Sequence, residues 1–178
     1  MEALYYYIPA LEGVRDFLEL GGIVLVAIAV LTLVMWTLIF ERIFYMRAKH
    51  PKVARQALEI WESRPERKSW HAHQIREELI SVAGQGLQQN LALLATCVAL
   101  CPLMGLLGTV TGMVNVFEVM AVSGSGNPRS MAAGVSMATV PTMAGMVAAL
   151  SGVAMSAFLE RKAFRERELL AESMTMDH

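Results

Sequence analysis

Three long stretches of the chain carry no charged side chain. The first covers residues 20–40, the second residues 79–117 and the third residues 130–159. At a helical rise of about 1.5 Å per residue, roughly 20 residues cross the hydrocarbon core of a bilayer. The pattern therefore predicts three transmembrane helices, and the second and third are long enough to project beyond the membrane.

The two longer stretches predict an antiparallel hairpin. Residues 79–117 form a run of 39 residues without a strong turn signal, so we expect one continuous helix whose more polar beginning lies in water. Before the third span, the sequence AVSGSGNPRS combines Gly, Ser, Asn and Pro, which is typical of a short reversal. The third span should therefore run back beside the second.

Basic residues predict which ends of the spans face the cytoplasm. Thirteen Lys and Arg residues lie within residues 42–76 and 161–167, whereas the N-terminal segment has Arg15 alone and the hairpin tip has Arg129 alone. Cytoplasmic loops of membrane proteins carry an excess of Lys and Arg. We therefore expect the loop after the first span and the C-terminal tail inside, with the N-terminus and the hairpin tip outside.

The expected fold class is an all-α membrane protein with three transmembrane helices and amphipathic cytoplasmic helices. The loop after the first span mixes both charge signs with apolar residues at helical spacing, and its helix should break near Pro65. The predicted segments are an outer N-terminal segment (1–19), a first span (20–46), a cytoplasmic helical loop (47–90), a second span (91–122), an outer hairpin loop (123–130), a third span (131–159) and a cytoplasmic tail (160–178).

Composition agrees with a membrane location. Hydrophobic residues make up 55% of the 178 residues, charged residues make up 17%, and the mean hydropathy is +0.45. The formal net charge is −1, so no basic excess suggests nucleic acid as a partner. The N-terminus lacks the basic first region of a secretory signal peptide, so we expect no cleavage. The first expected partner is the lipid bilayer.

Few residues suggest metal binding or nucleophilic chemistry. Cys97 and Cys101 stand four positions apart within one predicted helix, so we interpret them as free packing residues. His71 and His73 point in different directions on a helix and have no third ligand nearby, which favours a solvated surface. We expect no metal, no cofactor and no enzymatic activity.

Small residues recur along one face of each hairpin helix. In the second span these residues are Gly105, Gly108, Thr109 and Gly112, and in the third span they are Gly134, Ala138, Thr142, Gly145, Ala149 and Gly152. Their spacing of three or four positions places the members of each set on one side of a helix. In lipid, helices associate through close packing of small residues and through interhelical hydrogen bonds. We therefore assign the glycines to helix packing.

Hydroxyl residues in the same two spans are more numerous than packing requires. They are Thr109, Thr111, Ser136, Thr139 and Thr142. A hydroxyl in hydrocarbon costs free energy unless it finds a partner, although any single Thr can bond back to its own helix. Several hydroxyls at similar depths predict a polar path, and we take Thr109, Thr142, Thr139 and Ser136 as the candidates that line it.

Two prolines inside the spans free backbone carbonyls. Pro102 and Pro141 have no N–H group, so the carbonyls of Val98 and Met137 lose their helical partners. Such carbonyls are tolerated at membrane depth where a neighbouring helix or a water-lined cavity supplies a donor. Kinked helices around a shared cavity are the simplest interpretation, but a static bundle would accommodate the same kinks.

No Asp, Glu, Lys, Arg or His lies in residues 20–40, 91–117 or 130–159. A proton relay inside a membrane needs such a group. The chain therefore either moves no ions or lines a path whose titrating carboxylate belongs to another subunit. Three spans are few to enclose a path, so we expect a homo-oligomer in either case.

Two segments resemble a known family. PLMGLLGTVTGMVNVF (102–117) and GVSMATVPTMAGMVAALSG (134–152) are similar to the last two transmembrane helices of the ExbB, TolQ and MotA family of proton-channel subunits. The resemblance covers roughly residues 85–165. Three spans match ExbB and TolQ better than MotA, which has four, and the short chain favours ExbB over TolQ.

The resemblance implies a motor in the bacterial inner membrane, with the N-terminus in the periplasm and the C-terminus in the cytoplasm. Five copies would form a pore around the helices of an ExbD-like or TolR-like partner, which carry one membrane Asp each. Proton passage would drive rotation, which ExbB complexes pass to a TonB-like protein to energise outer-membrane uptake. A TolQ-like subunit of the Tol-Pal system and a non-conducting membrane scaffold are the alternatives.

The resemblance also implies roles for individual residues. Thr109 in GLLGTV and Thr142 in TVPTMAG match the family's two pore threonines, whose hydroxyls would face the partner Asp. Met137 stands where ExbB proteins commonly have Glu, so the role of that residue does not carry over. We interpret Glu118, at the outer end of the second span, as an interfacial residue.

Overall fold

The computed structural model describes residues 9–123 and 128–175, and for residues 9–21, 123 and 130 it describes the backbone alone. The first eight residues of the predicted N-terminal segment, four residues of the predicted hairpin loop and the last three residues of the predicted tail lie outside the described residues. The segment boundaries and their sidedness therefore stay predictions.

Five α-helices account for almost all of the described chain. They are α1 (Pro9–Ala48), α2 (His50–Glu62), α3 (Trp70–Gln88), α4 (Leu91–Ser123) and α5 (Pro128–Ser173). Within the two described ranges there is no β-strand. Three helical stretches are long and apolar enough to cross a membrane. The predicted fold class, an all-α membrane protein with three spans, is confirmed.

The prediction of one continuous helix over residues 79–117 is wrong. Helix α3 ends at Gln88 and α4 begins at Leu91. Between them Asn90 has a φ of 62°, a left-handed backbone conformation that Asn tolerates better than most residues and that interrupts an α-helix. The uncharged run is therefore divided, and the strongly apolar helix starts where the sequence becomes apolar.

Helix α5 continues for 46 residues, well beyond the uncharged residues 130–159. Pro141 lies inside it, as Pro102 lies inside α4, and neither ends its helix. The helix persists through the charged residues after Leu159 as far as Ser173. The long third helix of the expected fold class is therefore present.

The predicted break near Pro65 separates α2 from α3. Residues 63–69 between these helices contain Pro65. The side chain of Ser69 accepts a hydrogen bond from the backbone N–H of Ala72, at 3.3 Å, and so caps the start of α3. At the start of α2, Pro51 occupies a first-turn position where its missing N–H costs little.

Helix α1 is interrupted at Gly22. This residue has φ 64° and ψ −162°, a combination that is essentially restricted to glycine. The kink lies close to the start of the first uncharged stretch. Any other residue at this position would strain the backbone.

The described chain forms two compact units. The apolar unit comprises Met1–Met35 and Thr96–Ser151, and the charged unit comprises Trp36–Ala95 and Gly152–His178. The apolar unit holds the glycine, threonine and proline motifs of α4 and α5. The charged unit holds α2, α3, the end of α1 and the end of α5.

In the apolar unit, α4 and α5 pack as antiparallel helices through their glycines. A Cβ atom added to Gly112 would lie 2.6 Å from the Cα of Ala138, and one added to Gly105 would lie 3.0 Å from the Cα of Thr142. A Cβ atom on Gly145 would lie 2.5 Å from the carbonyl oxygen of Cys101. The two backbones therefore touch, which only residues without a side chain permit.

The outer surface of the apolar unit is rich in large apolar side chains. Exposed examples on α4 and α5 are Leu103, Leu106, Val110, Val114, Phe117, Met143, Val147 and Leu150. A soluble monomer rarely exposes so much contiguous apolar surface. Lipid chains and neighbouring apolar helices are the surroundings that suit it.

The charged unit has a hydrophobic core of its own. Trp61 is 1% exposed and packs with residues of α2, α3 and α5, namely Ala57, Ala72, Ile80, Ala83, Leu170 and Met174. Its indole N–H donates a hydrogen bond to the carbonyl of Thr175 at 3.2 Å. The chain just after the end of α5 is thereby tied to α2.

Arg76 caps the same helix end from α3. Its Nη2 donates to the carbonyl of Ala171 at 2.6 Å and its Nε donates to the carbonyl of Met174 at 2.8 Å. The last carbonyls of a helix have no partner within the helix, and a cation there is favourable. This explains why α5 stays ordered to its end although its sequence becomes strongly charged.

His50 is buried in the charged unit beside an acidic residue. It is 4% exposed, and its Nδ1 lies 3.9 Å from a carboxylate oxygen of Glu166. Its Nε2 atom is buried without a hydrogen-bond partner among the described residues. Burial lowers the pKa of His50 below its usual value of 6.5, and attraction to Glu166 offsets this in part.

Replacing Gly112 with Val is predicted to destabilise the apolar unit. The new side chain would meet the backbone of Ala138, so the helices must separate, at a cost of about 1–3 kcal/mol. Thermal unfolding in detergent measures this change. The matched control is Ala99→Val on the exposed side of α4, and equal melting temperatures for the two variants would contradict the close contact.

Replacing Trp61 with Ala is predicted to destabilise the charged unit by about 3–5 kcal/mol, because the substitution opens a cavity in its core. The same replacement at Trp70, which is 70% exposed, should change stability by less than about 0.5 kcal/mol. Denaturation followed by circular dichroism compares the two variants. A similar loss in both would show that Trp61 is not a core residue.

The charged unit is predicted to lose stability as the pH falls from 7.5 to 5.5. Because the pKa of His50 is lowered on folding, the unfolded chain binds the proton more readily below about pH 6.5, which favours unfolding. His50→Gln should weaken this pH dependence, whereas His73→Gln at an exposed position should preserve it. Melting temperatures across this pH range provide the measurement, and identical pH profiles for wild type and His50→Gln would refute the assignment.

Candidate functional site

Thr142 forms a hydrogen bond between the two helices that contain the glycine and proline motifs. Its hydroxyl donates to the carbonyl of Gly105 on α4 at 2.9 Å. The bond is possible because Gly105 brings the α4 backbone against that of α5. It satisfies the hydroxyl proton of Thr142 and leaves its lone pairs as acceptors.

Two other hydroxyl candidates, Thr109 and Thr139, donate to their own helices. The hydroxyl of Thr109 donates to the carbonyl of Leu106 at 2.6 Å. That of Thr139 is 3.2 Å from the carbonyls of both Val135 and Ser136. Like Thr142, these residues have their single proton engaged. Towards any further group they offer acceptor oxygens rather than donors.

Thr109 and Thr142 lie on the same side of the contact between α4 and α5. Gly108 faces the ring of Pro141, since a Cβ atom on Gly108 would lie 2.5 Å from the Cβ of Pro141. Thr109 follows Gly108 and Thr142 follows Pro141, so each Thr is rotated by about 100° around its helix from the residue at the contact. Because the helices are antiparallel, the same rotation on both leads to the same side. We call this side the hydroxyl side.

Thr139 and Ser136 do not share the hydroxyl side. Thr139 stands two positions before Pro141, which faces Gly108, so it is rotated by about 160° from the contact and points away from α4. Ser136 stands five positions before Pro141, about 140° from the contact, and also points away from α4. Thr139 is exposed and Ser136 is half-buried. The structure thus brings together two of the four predicted pore-lining residues, Thr109 and Thr142.

The opposite side of the same helix contact carries Thr111 and Asn115. Thr111 is exposed, and its hydroxyl donates to the carbonyls of Leu107 and Gly108 at 3.0 and 3.1 Å. The amide nitrogen of Asn115 lies 4.0 Å from the sulfur of Met137. The sequence prediction missed Asn115, although it is the single carboxamide in residues 91–122 and a polar group in an apolar run was a usable signal.

The two prolines have different surroundings. Pro141 is fully buried against Gly108, whereas Pro102 is exposed on α4. Both leave a carbonyl without its helical N–H, at Met137 and at Val98. Gly152, the last of the predicted packing glycines, is buried but belongs to the charged unit.

The candidate site has no acid, base or metal cluster of its own. Residues 91–117 and 130–159 contain no Asp, Glu, Lys, Arg or His, and Glu118, just after the uncharged run of α4, is exposed. Cys97 and Cys101 are free and buried, as predicted. Across the described residues, no group of three His, Cys, Asp or Glu side chains could hold a metal ion. The polar groups that the site offers are therefore hydroxyl and carbonyl oxygens.

Comparison with known proteins finds relatives among biopolymer transport proteins. A protein of Synechocystis named biopolymer transport protein ExbB-like 1 is 43% identical over 61 residues, which are 33% of this chain and 24% of that protein. Biopolymer transport protein ExbB of Pseudomonas putida is 34% identical over 77 residues, which are 43% of this chain and 23% of that protein. The chain thus spans about a quarter of the length of these relatives.

A family comparison covers more of the chain. Residues 36–172 match the family described as the MotA/TolQ/ExbB proton channel family. This range includes all of α2, α3 and α4, together with the hydroxyl side and both prolines. The match extends over well more than half of the sequence. The chain is therefore a multi-pass membrane protein that belongs to the MotA/TolQ/ExbB proton channel family.

Proposed function

We propose that this protein is an inner-membrane proton-channel subunit that, with an ExbD-like partner, converts proton motive force into mechanical work for TonB-dependent uptake. Membership of a proton channel family supports the proton-driven role. The relatives named ExbB support the TonB system over the Tol-Pal system.

One observation carries the proposal. Thr109 and Thr142 share the hydroxyl side of a helix pair that has no Asp, Glu, Lys, Arg or His in its uncharged runs. A proton path through this region needs a titrating group. A partner helix with one membrane Asp supplies it, and the hydroxyl side is the surface that such a helix would face.

The hydrogen bonds suggest what the threonines do. Because Thr142 and Thr109 already donate their protons to carbonyls, their free lone pairs accept a hydrogen bond from a protonated carboxyl group. A carboxylate has no proton to donate and receives none from them. The hydroxyl side therefore stabilises the neutral acid, and loss of the proton releases the partner helix from that position.

A ring of copies provides the enclosure that one chain lacks. The apolar surface of α4 and α5 suits contacts with neighbouring subunits and lipid. We infer a pentamer around the partner helices, with a TonB-like protein as the recipient of the motion. The Lys and Arg distribution supports a periplasmic N-terminus and a cytoplasmic C-terminus.

A non-conducting scaffold is the competing function, and the glycine contacts alone would serve it equally well. Such a scaffold needs no acid-bearing partner and gives its hydroxyls no role beyond bonding to the backbone. The proton-channel function and the scaffold function therefore predict different effects on ion flux when a hydroxyl is removed.

Thr142→Val is predicted to lower proton flux about tenfold, which corresponds to about 1.4 kcal/mol and lies within the range of one hydrogen bond. Flux is measured with a pH-sensitive dye in liposomes that contain the chain and its ExbD-like partner. Thr142→Ser keeps the hydroxyl and should retain most of the flux.

The matched control is Thr111→Val, because Thr111 lies opposite the hydroxyl side and also bonds to its own helix. Its flux should equal that of the wild type. Full flux in Thr142→Val, or flux from the chain without any acid-bearing partner, would refute the proposal.

A further inference from the structure

The break between α3 and α4 is a defined structure rather than a frayed end. The N–H of Gln89 donates to the carbonyl of Gln85 at 3.0 Å, and the N–H of Leu94 donates to the carbonyl of Asn90 at 2.9 Å. Helical bonding is therefore present immediately before and after the left-handed residue Asn90. Something outside the local sequence must select this conformation, because the uncharged run reads as one helix.

Arg42 of α1 contacts the break from the side of α3. It is 1% exposed, and its Nη1 donates to the carbonyl of Gly86 at 2.9 Å. Gly86 lies in the last turn of α3, where carbonyls lack helical partners, so the guanidinium caps the helix. Two further bonds of 3.0 Å join Arg42 to the carboxylate of Glu41, and its Cζ lies 4.9 Å from the centre of the Tyr45 ring.

The same turn of α1 also reaches the other side of the break. The amide of Asn90 donates to the carboxylate of Glu41 at 3.5 Å. The hydroxyl of Tyr45 lies against Gly86 so closely that a Cβ atom there would collide with it. Glu41, Arg42 and Tyr45 thus hold both ends of the five-residue segment Gly86–Asn90. We call these three residues the α1 latch.

We propose that Arg42 is a positioning residue that keeps the chain broken at Gln89–Asn90, and that channel activity depends on this break. Without Arg42, the carbonyl of Gly86 loses its donor and is free to accept an N–H from the next turn. The left-handed conformation of Asn90 costs free energy that only the latch offsets. The segment would then relax into the continuous helix that the sequence alone predicts.

The functional step rests on the proposed function. Helix α4 carries Thr109 and Gly105, and α3 supplies core residues of the charged unit. The break therefore lies between the helix that carries Thr109 and the helix that contributes to the core of the charged unit. Converting it to a continuous helix changes the direction in which α4 begins and so disturbs the placement of its hydroxyl.

Arg42→Met removes the cap and tests the proposal with two measurements. Proton flux with the ExbD-like partner should fall about tenfold or more, within the range by which positioning residues change coupling. Amide hydrogen exchange at the start of α4 should slow, because those N–H groups gain helical partners. Unchanged flux, or faster exchange throughout the charged unit, would overturn the proposal.

A second set of variants keeps Arg42 and alters its surroundings. Gly86→Ala should reduce flux, because its methyl group collides with the Tyr45 hydroxyl, and adding Tyr45→Phe should restore most of it. Gly84→Ala is the matched control, since its methyl group meets the flexible Arg167 side chain and flux should stay normal. Failure of Tyr45→Phe to rescue Gly86→Ala would contradict the latch.

The two proposals fail in distinguishable ways. If wild type with its partner conducts no protons, the proposed function is wrong. The exchange measurement still decides whether Arg42 maintains the break, because it needs neither partner nor proton gradient. Slower amide exchange in Arg42→Met would then support the role of Arg42 in maintaining the break, but not the dependence of channel activity on that break.

Discussion

Direct backbone contact between α4 and α5 is the constraint on which the apolar unit depends. A Cβ atom at Gly112 would overlap the backbone of Ala138, so the helices can meet only where glycine is present. That approach lets the Thr142 hydroxyl reach the carbonyl of Gly105. It also fixes the rotation of both helices and thereby places Thr109 and Thr142 on the same side. Packing and the candidate site are therefore consequences of one contact.

The electrostatic character of the site follows from where the hydroxyl protons go. Thr109 and Thr142 donate to carbonyls and keep acceptor lone pairs, while the uncharged runs contain no acid or base. In a medium of low polarity, such a surface favours a neutral carboxylic acid over a carboxylate. Under the proposed function, such a subunit would respond to the protonation of a companion chain without titrating itself. This fits its membership of a proton channel family.

Much of the fold could be predicted from the sequence, because burial in lipid imposes long uncharged runs and Pro65 marks a local break. The interruption at Asn90 could not, since the Arg42 side chain that caps the neighbouring Gly86 carbonyl lies 44 positions before Gly86 in the sequence. Composition identified Thr109 and Thr142 as candidates, but their common side became apparent only from the contact of Gly108 with Pro141. Thr139 and Ser136 were grouped with them by composition and lie elsewhere on α5. The local sequence pattern thus predicts the helices. Contacts between residues distant in the sequence decide where those helices end and how they are rotated about their axes.

Accessibility of single cysteines to a charged, water-soluble thiol reagent tests the central claim most directly. In a background where Cys97 and Cys101 are replaced by Ala, the account predicts that Thr109→Cys reacts in the membrane and that the acid-bearing partner protects it. Thr111→Cys, on the opposite side, should stay unreactive. Reaction at Thr111→Cys with none at Thr109→Cys would contradict the account, because the hydroxyl side would then face lipid.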